Sequence, residues 1–403
     1  MGPSGTDPGP AKRCQSKGTQ TAFLSLRGAA PARPSHCSLR NFGMIAHILR
    51  RVASLLVWLI AILLICVTLL PLWNTNEWWV RALGFPRVQI FAAACAVLIG
   101  ALFLKRPSRL VIALAMIGVC SYQAWRVYPY TPLAAPEMAL AAPAPDSIRV
   151  ITANVQMGNT RYQDVIDTIE HYDPDILLLL ETDEAWLAEL EPMLSRYSTV
   201  VRQPQDNYYG LVFATRLSVD EARVIQLTND RTPSLFARLK TPDGQPFHFL
   251  GLHPRPPVPG EDTDDRDRQI YAAAKFAAMD DMPVVAMGDF NDVAWSETSQ
   301  TFRRVGGYLD PRIGRGFFAS FDANSWFLRF PLNQFYATSD VAVVSIERLE
   351  HVGSDHFPMA ATFRVDPDLA ATLNVAPQPL TEEDRDLIDD LDLENAETLE
   401  SDK

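Results

Sequence analysis

The sequence predicts an α/β domain preceded by a block of apolar helices, and three observations carry that prediction. Short β-branched or apolar runs alternate with segments of helical period. Five of those runs end in turns bearing polar side chains. Three long apolar segments stand apart from them, in the N-terminal third of the 403 residues.

Residues 1–43 are rich in Gly, Pro, Ser and Arg and lack an apolar period, which predicts disorder. Met44 directly precedes Ile45-Ala46-His47 and the first apolar run, and is an alternative start. The apolar segments are residues 52–73, 88–104 and 110–128, read as three transmembrane helices within 52–128. The first has no charge over a length that crosses about 30 Å of hydrocarbon. A signal peptide is the competing reading of that span, and the two apolar segments behind it argue against one. Buried core helices are the competing reading of the other two.

Lys12, Arg13, Lys17, Arg27, Arg33, Arg40, Arg50 and Arg51 precede the first span, and Lys105, Arg106 and Arg109 fill the turn between the second and third. The loop between the first and second has only Arg81 and Arg87, with Trp78 and Trp79 as interfacial anchors. That bias places the N-terminus in the cytoplasm and everything after the third span on the far side of a cell membrane. A Pro/Ala linker over 129–146 reads as a stiff spacer.

The domain proper covers 147–366. Its first strand, residues 147–154, ends on Asn154, and a helix follows with Thr160 and Gln163 as a capping box and Tyr162, Val165, Ile166 and Ile169 on one face. The turn Asp173-Pro174-Asp175 leads into an apolar strand that ends on Glu181. Residues 247–252 end on His253, followed by Arg255, and a helix over 268–279 precedes the strand 283–287. There Gly288 lets the chain turn so that Asp289 and Asn291 share a face. A last element presents Ser354, Asp355 and His356. Residues 367–403 read as an acidic disordered tail.

Carboxylates, amides and imidazoles at five strand ends are equipment for metal-assisted phosphoryl chemistry. An Asp binds a metal or takes a proton from water, and an Asn amide donates to a phosphoryl oxygen without adding negative charge. The five cysteines all lie outside 147–366, which excludes a disulfide or thiolate framework there, and hard oxygen donors favour Mg²⁺ or Mn²⁺. Between Arg149 and Arg364 there are 20 Lys or Arg against 31 Asp or Glu, a balance that weighs against broad attraction to a nucleic-acid backbone. Arg303, Arg304, Arg312 and Arg315 form a local basic cluster, either a phosphate guide or a solvated surface.

Asn154, the Leu180-Glu181-Thr182 run, His253, the Gly288-Asp289-Phe290-Asn291 run and Ser354-Asp355-His356 together resemble the endonuclease/exonuclease/phosphatase superfamily over residues 147–365. The resemblance implies a DNase I-like two-sheet β-sandwich flanked by helices. It also implies a metal held by Asn154, Glu181 and Asp355, with Asp289 as base and Asn291 on the transition state. His356, supported by Asp355, would contact the scissile phosphate or share base duty with Asp289, and His253 is placed to protonate the leaving oxygen, a division between the two imidazoles that the resemblance leaves open. Arg255 and Asn333 complete the set on the phosphate side. Members usually carry an Asp that orients the last His, and this chain has Asn333 there.

Together these readings predict a metal-dependent phosphodiesterase, nuclease or phosphatase at the outer face of a membrane. Its substrate is a phosphoester of a lipid headgroup or a nucleic acid, it contacts the bilayer, and no protein partner is implied. The alternative is a catalytically impaired, membrane-anchored binding or scaffold module.

Overall fold

The computed structural model describes residues 36–73, 75–228, 232–277 and 281–401. The chain divides into two units, residues 1–53 and 54–403. Expectations for residues 1–35, including disorder there, lie outside the described residues.

The N-terminal helices are α1 (His36–Leu69), the short α2 (Trp78–Ala82), α3 (Arg87–Ala101) and α4 (Arg106–Val127). Helix starts at His36, so the expected disorder does not extend to residue 43. Two stretches, His47–Leu72 and Arg106–Tyr130, are long and apolar enough to cross a membrane. The second predicted span yields only the 15 residues of α3, about 22 Å of helix, because Pro86 and the turn at 102–105 bound it. Leu55, Leu59, Leu63, Leu110 and Leu114 are all exposed, whereas Ala94, Ala101, Ile112 and Met116 pack in a small core between helices.

The domain behind them is a sandwich of two six-stranded mixed sheets. The first sheet has the order β11-β12-β1-β2-β4-β3. Its strands are β1 (Ile148–Asn154), β2 (Ile176–Leu180), β3 (Thr199–Gln203), β4 (Leu211–Thr215), β11 (Val341–Arg348) and β12 (Met359–Val365). The second has the order β5-β6-β7-β8-β10-β9. Its strands are β5 (Ser218–Gln226), β6 (Pro233–Lys240), β7 (Pro246–Leu252), β8 (Val284–Asp289), β9 (Tyr308–Leu309) and β10 (Asn333–Thr338). β1 and β2 run parallel, as do β7 and β8; each pair is joined through a helix.

Between the sheets lies one core, in which Val150, Leu178 and Phe213 of the first sheet meet Phe249, Met287 and Phe335 of the second. Both faces of every central strand are therefore covered, which explains their unbroken apolar runs. Helices α5 (Tyr162–Tyr172) and α6 (Glu184–Leu194) cover the outer face of the first sheet, and α7 (Asp264–Ala277) and α8 (Glu297–Val305) that of the second.

Local details depart from expectation. α5 has the predicted buried face through Val165 and Ile169, but no side chain caps its start, and Gln163 donates to Asp167 instead of closing a capping box. α7 begins at Asp264, one turn before the predicted start. Residues 129–146 are no free spacer. Tyr130 and Met138 are buried, Tyr130 Oη donates to Ala294 O at 2.6 Å, and Ala141 N donates to Val343 O at 2.8 Å, so the segment is bound along the domain. The tail is ordered as α9 (Pro367–Leu373) and α10 (Glu382–Ser401). It is held because Arg304 pairs with Asp384 at 2.7 Å, Lys275 donates to Ile388 O, and Leu380 and Ile388 pack on the α7/α8 core. The cluster of Arg303, Arg304, Arg312 and Arg315 is neither a phosphate guide nor a solvated face. Arg303 and Arg312 are buried against Glu137 and Asp310, Arg304 holds the tail, and Arg315 donates to backbone carbonyls.

Candidate active site

β1, β2, β7 and β8 end on the same rim of the sandwich, and the loop before β12 turns back across it. Asn154, Glu181, His253, Asp289 and His356 meet there. Close approach of backbones is a condition of this meeting. Gly288 has φ +152°, and a Cβ on it would sit 2.0 Å from Leu252 O of the neighbouring strand. Gln156, Glu181 and Asn291 all have left-handed backbone (φ 59°, 62° and 48°), a clustering of strained residues around one rim that is characteristic of functional sites.

Asn154 is the central bridge. Its Nδ2 donates to Glu181 Oε1 at 2.7 Å and to Asp289 Oδ2 at 3.1 Å, while its Oδ1 accepts from Gln156 N. The Gln156 N–H thereby fixes the amide with its nitrogen toward the carboxylates, so Asn154 ties two acids together instead of offering its oxygen between them. Asp289 is buried and accepts from Asn291 N at 3.0 Å. Burial opposes its charge, but His356, His253, the Asn291 N–H and Asn154 outweigh that and hold Asp289 below the usual carboxylate range. Glu181, with a side chain only 15 % exposed, behaves oppositely. Burial, with repulsion from Asp289 and Asp355, pushes it up to about 7 despite the Asn154 hydrogen bond and His356. Burial also raises Asp355, which is half-buried.

The two imidazoles differ. His253 Nε2 lies 4.0 Å from Glu181 Oε1 and 3.9 Å from Asp289 Oδ2, its Nδ1 is buried without a partner, and Tyr209 packs on the ring. Burial drives it down to about 4, against the pull of Asp289, so it is neutral at physiological pH. His356 has Nδ1 2.7 Å from Asn333 Oδ1 and Nε2 3.4 Å from Asp289 Oδ2. Asn333 accepts the Nδ1 proton and aims Nε2 at the carboxylate. The predicted strand register is correct, since Asn333 pairs with Asp289 across β10 and β8.

Other predicted residues lie at the edge or behind. Asn291 Nδ2 donates to Pro254 O at 2.9 Å, linking the β7 and β8 ends. Asn333 is fully buried behind His356, with its Nδ2 unpartnered, and so supports the imidazole and does not face a substrate. Arg255 stands at the rim, 3.7 Å from Glu261 and 3.8 Å from Asp265.

Sequence reasoning missed three contributors, Gln156, Phe321 and Arg266. Gln156 Oε1 accepts from Asp355 N at 3.1 Å and joins the first strand end to the last loop; its position two residues after Asn154 was the available signal. Phe321 lies 4.8 Å from the His356 ring and carries no local signal, whereas Tyr209, which the sequence offered as an aromatic to stack a base, face a lipid or fill the core, packs against His253. Arg266, buried between Asp267 and Asp292, donates to Asn291 O at 3.2 Å and holds that turn.

Hard oxygen donors are present for a metal. Glu181, Asp289 and Asp355 put three carboxylates in one buried site, and the raised Glu181 is the group a divalent cation would relieve. Among the described residues no group of three or more His, Cys, Asp or Glu side chains is arranged to hold a metal ion. That fits a hard cation that keeps waters and takes one or two carboxylates.

The sequence profile of the Endonuclease/Exonuclease/phosphatase family matches residues 151–356, and the chain belongs to that family. Its members are phosphoesterases and nucleases, which makes this protein a hydrolase of ester bonds by class. Similar solved structures include D. rerio TDP2 complexed with single strand DNA product (18 % identity, 54 % of this chain and 99 % of that one, TM-score 0.46). A functionally unknown conserved protein from Enterococcus faecalis V583 (17 %, 54 % and 100 %, 0.44) and a family protein from Bacteroides thetaiotaomicron (18 %, 54 % and 94 %, 0.44) are also similar. No curated protein matches the chain.

Proposed function

We propose that the protein is a membrane-anchored, divalent-metal-dependent phosphoesterase that cleaves a phosphoester of a lipid headgroup at the non-cytoplasmic face. Exposed leucines along α1 and α4 support insertion, and Lys105, Arg106 and Arg109 orient it. The observation that carries the lipid reading is the loop 322–329. It leaves the site at Phe321 against His356, and Ala323 N donates to Asp355 O at 2.7 Å. Its tip is apolar and exposed, with Trp326 at 89 %, Phe327 at 51 % and Leu328 at 49 %. Gln89, near the start of α3, donates to Phe327 O at 2.7 Å. The tip therefore lies beside the start of an apolar helix, which supports a reading in which it meets the bilayer with the site opening beside it.

In the mechanism, a water attacks phosphorus in line with the ester oxygen, and the bond to that oxygen breaks. Ionised Asp289 takes the water proton as the new P–O bond forms, with His356 Nε2 positioning the carboxylate. Burial lowers His253 and leaves it neutral, so in this reading it donates a hydrogen bond from Nε2 to a phosphoryl oxygen and the departing oxygen takes its proton from solvent. Asn291 adds a second donor. Glu181 and Asp355 would hold Mg²⁺ or Mn²⁺, oriented by Asn154 and Gln156, and the ion would supply Lewis-acid polarisation of the phosphate.

The test is Trp326→Ser in the full chain. Hydrolysis of phospholipid in vesicles should fall on the order of tenfold, following the apolar area withdrawn from the bilayer, with no change on a soluble short-chain phosphodiester. Equal loss on both substrates, or preference of the wild type for single-stranded DNA, overturns the lipid reading.

A further inference from the structure

A cavity of about 280 Å³ lies outside the catalytic site, where the end of α1, the start of α3 and the end of α4 meet the catalytic domain. Arg81, Arg87, Arg126 and Arg266 line it. Two of these guanidiniums are neutralised. Arg81 pairs with Asp267 at 2.6 Å, and Arg266 pairs with Asp267 at 2.6 Å and faces Asp292 at 3.5 Å. Glu297, also in the wall, is committed to Arg304 at 3.1 Å. Arg87 and Arg126 remain.

Among the described residues neither has a carboxylate partner. Arg87 is buried, donates to Gln123 Oε1 at 3.2 Å, interacts with the Tyr122 side chain and leaves Nε without a hydrogen bond among the described residues. Arg126 donates to Trp295 O at 2.5 Å. The two guanidiniums repel each other across the same space. An unneutralised arginine pair at the first residue of one apolar helix and near the last of another is costly unless an anion completes it. The side is telling as well. These arginines sit opposite Lys105, Arg106 and Arg109, where charge bias would disfavour cations. On the helix side the cavity is bounded by Leu72 and Trp73, both exposed and apolar.

We propose that this cavity binds the phosphate of an anionic membrane phospholipid, held by the planar forks of Arg87 and Arg126 with its acyl chains along the exposed faces of α1 and α4. The inference rests on the membrane placement above but not on hydrolysis. The bound lipid would bridge the apolar helices to the turn that carries Asn291, because Arg266 holds that turn through Asn291 O.

The test uses the full chain in neutral detergent with EDTA, so that no hydrolysis intervenes, and reads binding of short-chain phosphatidylglycerol by native mass spectrometry and by the shift in melting temperature. Phosphatidylcholine and inorganic phosphate are the comparison probes. Wild type and the hydrolytically impaired Glu181→Gln should bind phosphatidylglycerol equally. Arg87→Gln and Arg126→Gln should each lose on the order of tenfold in affinity, and Arg126→Lys should lose less. Arg126 is only half-buried, so it decides the matter if Arg87→Gln does not fold. Unchanged binding in the Arg126 variants, equal binding of phosphatidylcholine, or saturation by inorganic phosphate that lipid does not displace overturns the proposal. Loss of hydrolysis with binding intact would instead count against the proposed activity alone.

Discussion

Glu181→Gln should make the metal-free protein more stable while removing its activity. In the folded chain Glu181 is pushed from 4.5 to about 7, so its ionised form is strained. The folded state holds this proton more tightly than the unfolded state does. The stabilising contribution of the proton is therefore complete below 4.5 and is lost as pH rises through about 7. A shift of this size corresponds to about 3 kcal/mol at alkaline pH. A glutamine keeps the acceptor for Asn154 but turns an amide toward Met157 N, at present 3.4 Å from the Glu181 carboxylate, which offsets about 1 kcal/mol. The net gain of about 2 kcal/mol should raise the melting temperature by about 4–8 °C for a domain of this size.

The assay is thermal unfolding of wild type and Glu181→Gln in EDTA across a pH series. The advantage should be full near about pH 8 and vanish near pH 4.5. Magnesium at about a hundredfold excess over its Kd should stabilise wild type by about 2.7 kcal/mol and erase the difference. A variant less stable than wild type at alkaline pH in EDTA, or an advantage independent of pH, would refute the account of a strained carboxylate awaiting a cation.

Asp289→Asn should lower hydrolysis by about 10²–10⁴-fold, measured as turnover on any cognate phosphoester, and wild-type turnover in this variant would remove Asp289 from the chemistry. The same variant should be less stable near neutral pH, because the carboxyl it removes is held below the usual range and its stabilising charge fades only as pH falls through that depressed value. Asn333→Asp should move the acidic limb of the pH–rate profile to higher pH, and an unmoved profile would mean that Asn333 Oδ1 does not hold His356 in solution. A reporter active only outside the cytoplasm should work when fused after Ala144 and fail between Lys105 and Arg109, and the reverse pattern would invert the proposed topology.

What the sequence revealed and what it hid follow from the range of the interactions concerned. The strands ending on Asn154, Glu181, His253 and Asp289 were legible because an apolar run and a turn residue are local signals, and a parallel arrangement brings successive strand ends to one rim. The pairing of Asn333 with His356 was legible through register. Arg303, Arg312 and Arg304 were not, because their partners Glu137, Asp310 and Asp384 come together only through tertiary structure, Glu137 being 166 positions from Arg303. The same reason hid the docking of residues 129–146 and of α10, whose compositions are those of a linker and a solvated tail. A buried Tyr130 or a Lys275 reaching Ile388 O has no periodic signature.

The amide at 333 makes physical sense in a site this acidic. Glu181, Asp289 and Asp355 already share the rim, and burial, with repulsion from the neighbouring carboxylates, raises Glu181 and Asp355. A fourth carboxylate behind His356 would add to that repulsion. Asn333 supplies the one thing the imidazole needs from that side, an acceptor for Nδ1–H at 2.7 Å, without adding charge. The negative partner comes from the other side, where Asp289 faces Nε2 at 3.4 Å. Orientation and electrostatics, combined in a single Asp in related sites, are here divided between an amide and the carboxylate proposed to take the proton. Asn333 is therefore weak support for a module that has lost catalysis, because the carboxylate that His356 needs is still beside it.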